Sequence, residues 1–246
     1  MAMTDDLIGE FEVHSEDGIR QYFSEGIDPN ASHNGKLLFQ TMVEMYYRSP
    51  AFKHCIRAFV DYGLQFDPLI LAILTDDAVT LDRMINDGAV DIHARYSLFD
   101  CAYTPLTEVS LLHICAEYNL PDCAKVLVRH KADVNAKAGV DEYGFGGHTP
   151  IFHTVNQNQN NSSEMMHFLL QHGADLGVQV KGLIWGKNYE WETFIPAVNP
   201  VSYAMMGLLP QMHRKELTIS RTVSLLMKHA YGIDYEPVNV PCAYLR

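Results

Sequence analysis

Apolar positions gather in short runs with helical spacing, and the runs come in pairs. Leu111, Leu112, Ile114, Cys115 and Ala116 form one run, and Ala124, Val126, Leu127 and Val128 form its partner a few residues on. Recurrence every three to four residues puts side chains on one face of a helix, so each pair of runs predicts two short helices. Asp67, Thr149 and Asn199 are each followed by proline. All three are good N-cap residues, and proline suits the first helical position because its missing N–H has no partner there in any case. Gly26, Gly63, Gly88 and Gly173 follow apolar runs, where a left-handed C-terminal cap favours glycine. A pair of helices bounded in this way exposes an apolar face that it cannot cover alone, so stacking on neighbouring pairs must supply the core.

The pairs repeat. The clearest copy runs from Ser110-Leu111-Leu112-His113 to Ala132-Asp133-Val134-Asn135-Ala136. The next opens at Gly147-His148-Thr149-Pro150-Ile151-Phe152 and closes at Leu169-Leu170-Gln171-His172-Gly173-Ala174-Asp175-Leu176. Others open at Asn199-Pro200, at Asp67-Pro68 and, more weakly, at Lys36-Leu37-Leu38-Phe39, and residues 18–30 read as the second half of one more. The pattern resembles the ankyrin repeat: Thr-Pro-Leu-His, a small-residue pair, a turn, a second helix ending in Leu-Leu, then Gly-Ala-Asp-Val-Asn. Lys131 stands where that glycine is usual. The resemblance covers roughly residues 18–234. It implies an all-α fold, an ankyrin-repeat helical solenoid of about five helix pairs plus an N-terminal half-repeat, with long irregular inter-repeat loops. Residues 1–246 are then a single domain, with repeats at approximately 16–34, 35–66, 67–109, 110–147, 148–198 and 199–236. A flexible acidic stretch at 1–15 and a tail at 237–246 complete it.

Ankyrin repeats recur about every 33 residues, and this chain departs from that period in its second half. Three insertions separate helix pairs, at approximately 90–109, 138–147 and 177–198. In the family these segments are finger-like turns projecting along one side, which implies that the three lie together. Lengthening them costs little, since doubling a loop adds only about 0.6 kcal/mol of closure entropy. Their chemistry is not that of passive linkers. The first carries Tyr96, Phe99, Asp100 and Tyr103; the second Asp141, Glu142, Tyr143 and Phe145; the third Trp185, Lys187, Tyr189, Glu190 and Trp191, with both tryptophans of the chain. Each ring can bury on the order of 150 to 250 Å², more in sum than the apolar patch a monomer usually leaves bare. Either the fingers fold back as a satellite core or their rings anchor a bound protein or peptide. The same thirteen residues are the candidate partner-binding set on the second reading.

Composition narrows the function classes. With 48% hydrophobic and 20% charged residues the chain has the makeup of a folded domain. No apolar run approaches the roughly 20 residues that span a bilayer, and the start, Met1-Ala2-Met3-Thr4-Asp5-Asp6, is acidic where a secretory signal is basic and then apolar. No membrane association and a cytoplasmic address are expected. Five cysteines without paired short spacings read as reduced thiols. A net charge of −12 argues against nucleic acid. Eight of the acidic residues lie within the first 30 positions against one base, Arg20, which reads as a solvated end cap.

Candidate chemistry is sparse. Of the twelve histidines, His113 occupies the family's Thr-Pro-Leu-His position, whose imidazole bonds a helix-start hydroxyl, here Ser110. His130 and His172 precede helix ends, where positive charge suits the dipole. His148 with His153, and His167 with His172, are five apart, which does not put two rings on one helical face. No metal and no cofactor are expected. No nucleophile elbow, phosphate loop or dinucleotide fingerprint is present, and Gly144-Phe145-Gly146-Gly147 reads as a turn. No catalytic residues are assigned. The alternative is an enzyme or small-ligand receptor with a pocket under the fingers, drawing on Asp100, Asp141, Glu142, His148, Lys187 and Glu190. The polar run 156–163 predicts a mobile surface tip. The expected chain is a non-catalytic, monomeric module that binds a protein or peptide through a concave face and its fingers.

Overall fold

The computed structural model describes residues 2–97, 104–185, 192–206 and 216–234. It is mostly helical. The elements are α1 (Ala2–Val13), α2 (Glu16–Ser24), β1 (Ser32–His33), β2 (Lys36–Leu37), α3 (Leu38–Val43), α4 (Phe52–Asp61), α5 (Pro68–Leu74) and α6 (Ala78–Asn86). There follow α7 (Leu111–Tyr118), α8 (Pro121–Arg129), a 3-10 turn (Pro150–His153), α9 (Ser163–Gln171), β3 (Val180–Trp185), β4 (Thr193–Val198), α10 (Pro200–Met205) and α11 (Glu216–Tyr231). Neighbours in sequence are neighbours in space: α4 meets α5, α5 meets α7, α6 meets α8, α7 meets the 3-10 turn, and α8 meets α9.

The caps follow the local sequence. Asp67 accepts from the amides of Leu69 and Ile70 at 2.8 and 3.1 Å, and Asn199 closes a capping box with Ser202. Gly26, Gly63, Gly88 and Gly173 all take positive φ after their helices. Lys131, in the equivalent place after α8, is forced to φ +72°. A recurrent side-chain bridge ties one helix end to the next. The Asn30 amide donates to the Gly63 carbonyl at 3.1 Å while its oxygen accepts from the Gln65 amide at 2.7 Å; Asn135 repeats this with Gly173 at 3.0 Å and Asp175 at 2.8 Å.

Four sequence expectations differ from the structure. Residues 2–13, expected to be flexible, form α1, because Leu7 and Phe11, four apart, are both fully buried and Phe11 meets Phe59 with ring centroids 5.6 Å apart. Burying each such side chain contributes about 1.5–3 kcal/mol, enough to hold one face of a short helix down. The third insertion is not irregular: β3 and β4 form an antiparallel hairpin pairing Leu183 with Ile195 and Ile184 with Phe194. Leu183, Ile195 and Val198 are buried, so aliphatic residues of this segment cover one face of a sheet. The short β1–β2 ladder is a second departure from an all-α chain.

The helix opening at Thr149 is a 3-10 turn. Thr149 has the extended backbone of an N-cap, but its buried hydroxyl makes no bond. Thr154 Oγ1 donates to the Ile151 carbonyl and Gln157 Nε2 to the His153 carbonyl, each at 2.9 Å, and these side chains take carbonyls that a longer α-helix would use. Finally, the polar run 156–163 is not a mobile tip. Asn156, Gln157 and Ser162 are buried, Asn161 donates to the Arg48 carbonyl, and Asn160 accepts from Thr222 Oγ1 at 3.0 Å. Its amides satisfy backbone groups of distant elements, a use of polarity that composition cannot distinguish from solvation.

Candidate functional site

The described parts of the three insertions meet. In the second, Asp141 Oδ1 accepts from the amides of Tyr143 and Phe145 at 3.0 and 2.9 Å, and the Asp141 amide donates to the Phe145 carbonyl at 2.9 Å, which folds 140–146 into a tight hairpin. This hairpin joins the first insertion through the Gly139 amide, which donates to the Thr107 and Glu108 carbonyls at 3.2 and 3.0 Å. It joins the third through the Gly146 amide, which donates to the Gly182 carbonyl at 2.9 Å. Glycine is required at Gly146, where a Cβ would lie 2.2 Å from the Gly139 carbonyl oxygen, and a Cβ on Gly182 would lie 2.4 Å from the Phe194 ring and displace it.

Aromatic rings cap this seam. Phe145 packs against Phe194 with centroids 4.6 Å apart and stacks with Tyr143 at 6.2 Å, while the Lys181 ammonium lies 5.4 Å from the centre of the Phe145 ring and donates to the Tyr143 carbonyl at 2.5 Å. Tyr143 is 63% exposed and Phe194 49%. Phe145 is half-buried, and Asp141 and Glu142 are exposed. Tyr96 behaves differently. Its amide and carbonyl pair with those of Val109 at 2.9 Å each, and the half-buried ring packs on the core. Burial, then Asp67 and Asp91, raise its phenol above the ordinary range. Of the remaining candidates, Trp185 lies in β3 opposite Thr193. Phe99, Asp100, Tyr103, Lys187, Tyr189, Glu190 and Trp191 lie outside the described residues.

Beneath the seam is a half-open cavity of about 130 Å³ to which each insertion contributes. Pro105, Thr107 and Glu108 come from the first; Gly139, Val140, Asp141, Phe145 and Gly146 from the second; Leu183 and Ile184 from the third. His148 also lines it and is 1% exposed. Its Nε2 lies 2.9 Å from the Pro105 carbonyl, which only an N–H can satisfy, so Nδ1 carries the lone pair, and that buried atom has no partner. Burial, then His153, hold the imidazole down to about 3.

Behind His148 lies a buried polar network that sequence reasoning missed. The rings of His113, His148 and His153 are mutually 5.1 to 5.8 Å apart. His113 Nδ1 accepts from the Ser110 amide at 3.2 Å and meets its hydroxyl at 2.9 Å, the family-type contact expected for it, and Nε2 reaches the His148 carbonyl at 3.1 Å. His153 Nδ1 meets Glu117 Oε2 at 2.7 Å, and Glu117 Oε1 accepts from Arg48 at 2.9 and 2.8 Å. Arg48 also donates to the carbonyls of Met45 and Tyr47, and its guanidinium lies 4.7 Å from the centre of the Tyr118 ring. One signal for this network was present: Glu117 is the charged residue of a helix whose every position is buried. His130 caps the end of α8, as expected, and also meets Asp82 at 2.6 Å beside Arg129, while His172 bonds a last-turn carbonyl, that of Phe168 at 2.8 Å.

Among the described residues no group of three or more histidine, cysteine or carboxylate side chains is disposed to hold a metal, and no helix is long and apolar enough to cross a membrane. Cys55, Cys115 and Cys123 are buried free thiols; burial raises the first to about 12 and pushes Cys115 well above the ordinary range.

The paired helices and asparagine bridges define a helical-repeat protein. Residues 108–138, which span α7, α8 and the stems of two insertions, match the family model of the ankyrin repeat. No curated protein matches the chain. Ankyrin repeats generally mediate protein–protein interaction, and the family is typically non-enzymatic.

Proposed function

We propose that the chain is a non-catalytic interaction module, one solenoid domain of about five helix pairs and an N-terminal half-repeat. It grips a protein or peptide with the finger seam and the concave face beside it. The observation that carries this reading is the pair of exposed rings, Tyr143 and Phe194, each packed on Phe145 at a seam held by backbone bonds among all three insertions. Rigid aromatic residues lose little entropy on binding and are favoured as interface anchors. The seam is therefore both a satellite core, through Phe145, and a surface, through its neighbours. The other finger residues of the candidate set, Phe99, Asp100, Tyr103, Trp185, Lys187, Tyr189, Glu190 and Trp191, belong to the proposed partner-binding set by their chemistry alone, and the reduced thiols suit a cytoplasmic protein.

Affinity capture from the native source tests it, with Tyr143→Ser/Phe194→Ser against wild type and with Val79→Ser, at an exposed position of α6, as control. The proposal expects a set of captured proteins lost with the double variant and kept with the control. An identical set from all three removes the seam as the site.

The cavity supports a second reading, a small-ligand receptor or enzyme beneath the fingers. A small-metabolite panel distinguishes it, since a ligand at 100 times its Kd adds about 2.7 kcal/mol of stability. No melting shift with any compound counts against it.

A further inference from the structure

The cavity under the finger seam has an unusual balance of groups. Val140, Phe145, Leu183 and Ile184 give it apolar walls. Its lining includes two carboxylates, Glu108 and Asp141, and no positively charged side chain. Neither carboxylate is in an ion pair among the described residues: Glu108 Oε1 accepts from Ser97 Oγ at 3.1 Å, and Asp141 Oδ1 is used by the turn amides. The Lys181 ammonium stands over Phe145 and is engaged by the Tyr143 carbonyl. His148, a buried imidazole, also lines this space and fixes its wall through the bond from Nε2 to the Pro105 carbonyl. Apolar walls with acceptors and no cation suit a ligand with an aliphatic stem and a donor-only, positively charged end.

We propose that this cavity seats a lysine side chain of the bound protein. The idea rests on the interaction reading above and names its anchor. A lysine carries four methylenes and a compact head with three donors, which match the walls and the acceptors respectively. Arginine is less suited, because its planar fork is best used against a single carboxylate in two parallel bonds. The chain's net charge of −12 also favours approach of a basic partner.

The test uses the full chain, labelled with nitrogen-15, and three probes: Nα-acetyl-lysine methylamide, the norleucine analogue that lacks the ammonium, and the arginine analogue. The amides of Gly139, Gly146 and Leu183 report occupancy. The lysine probe is expected to shift them saturably with a Kd on the order of millimolar, as befits so small a ligand. Glu108→Gln/Asp141→Asn removes both charges yet keeps the oxygens that Ser97 and the turn amides use, so the seam should remain folded, with its amide spectrum preserved. Lysine binding should then weaken about tenfold or more, with the norleucine response unchanged. Equal binding of the norleucine probe, tighter binding of the arginine probe, no response to any probe, or undiminished lysine binding by the double variant overturns the proposal. If capture of partners depends on Tyr143 and Phe194 while the lysine probe is silent, the interaction reading stands and the lysine anchor falls.

Discussion

Arg48 and Glu117, 69 residues apart in the chain, meet in the interior at 2.8 Å with both side chains almost wholly buried. The pair joins the segment before α4 to α7, and through His153 it reaches the 3-10 turn one repeat further on. Two charges so placed are tolerable only because each is paired and its remaining atoms find carbonyls or an imidazole.

Removing one partner should therefore be costly. Glu117→Gln leaves the Arg48 cation buried without its counter-charge and is expected to destabilise the chain by about 3–5 kcal/mol. Adding Arg48→Met to that variant should recover part of the loss, because it removes the stranded cation. Urea unfolding of the two single variants and the double variant measures the coupling; strictly additive losses would contradict it.

Stability should fall in mild acid. Burial, then Arg48, hold His14 down to about 4; burial, then His153, hold His148 down to about 3; and burial holds His113 well below its ordinary range. In the unfolded chain each titrates near 6.5. Below that value the unfolded chain takes up protons that the folded chain refuses, so the histidine contribution is complete above about pH 6.5 and declines as pH falls toward 4. Each histidine can cost up to about 2 kcal/mol at about pH 5. A urea midpoint that does not change between about pH 7.5 and pH 5 would count against this.

Lys131→Gly should stabilise the repeat that ends at α8. A non-glycine residue at φ +72° carries a left-handed penalty of about 1–2 kcal/mol, partly offset by the roughly 0.4–1 kcal/mol of extra freedom that glycine gives the unfolded chain. The expected gain is about 0.5–1 kcal/mol, read as a raised Tm. A lower Tm would mean that the Lys131 side chain contributes more than its backbone costs.

Gly146→Ala should open the finger seam while leaving the helices intact. The added methyl would sit 2.2 Å from the Gly139 carbonyl, and φ at Gly146 is +108°. Amide hydrogen exchange should accelerate at Gly139 and Gly146, with little change in α7 and α8. Unchanged protection at the seam would show that the fingers tolerate the clash without parting.

The order of helix pairs was legible in the chain because its causes are local. Asp67 and Asn199 cap the helices they precede, and Gly63 and Gly173 close the ones they follow, whatever lies across the fold. The aromatic and acidic content of the fingers was legible too, and so was the bond from Ser110 to His113, which spans three residues.

What the tertiary structure decided was the destination of polar groups. Nothing near Glu117 in sequence announces Arg48 or His153, and the amides of Asn160 and Asn161 read as solvated until partners 62 and 113 residues distant come within reach. Likewise the cavity with His148 at its wall exists because three insertions meet. Helix periods and caps are set by neighbours along the chain, whereas the satisfaction of a buried charge or imidazole depends on groups that only folding brings close.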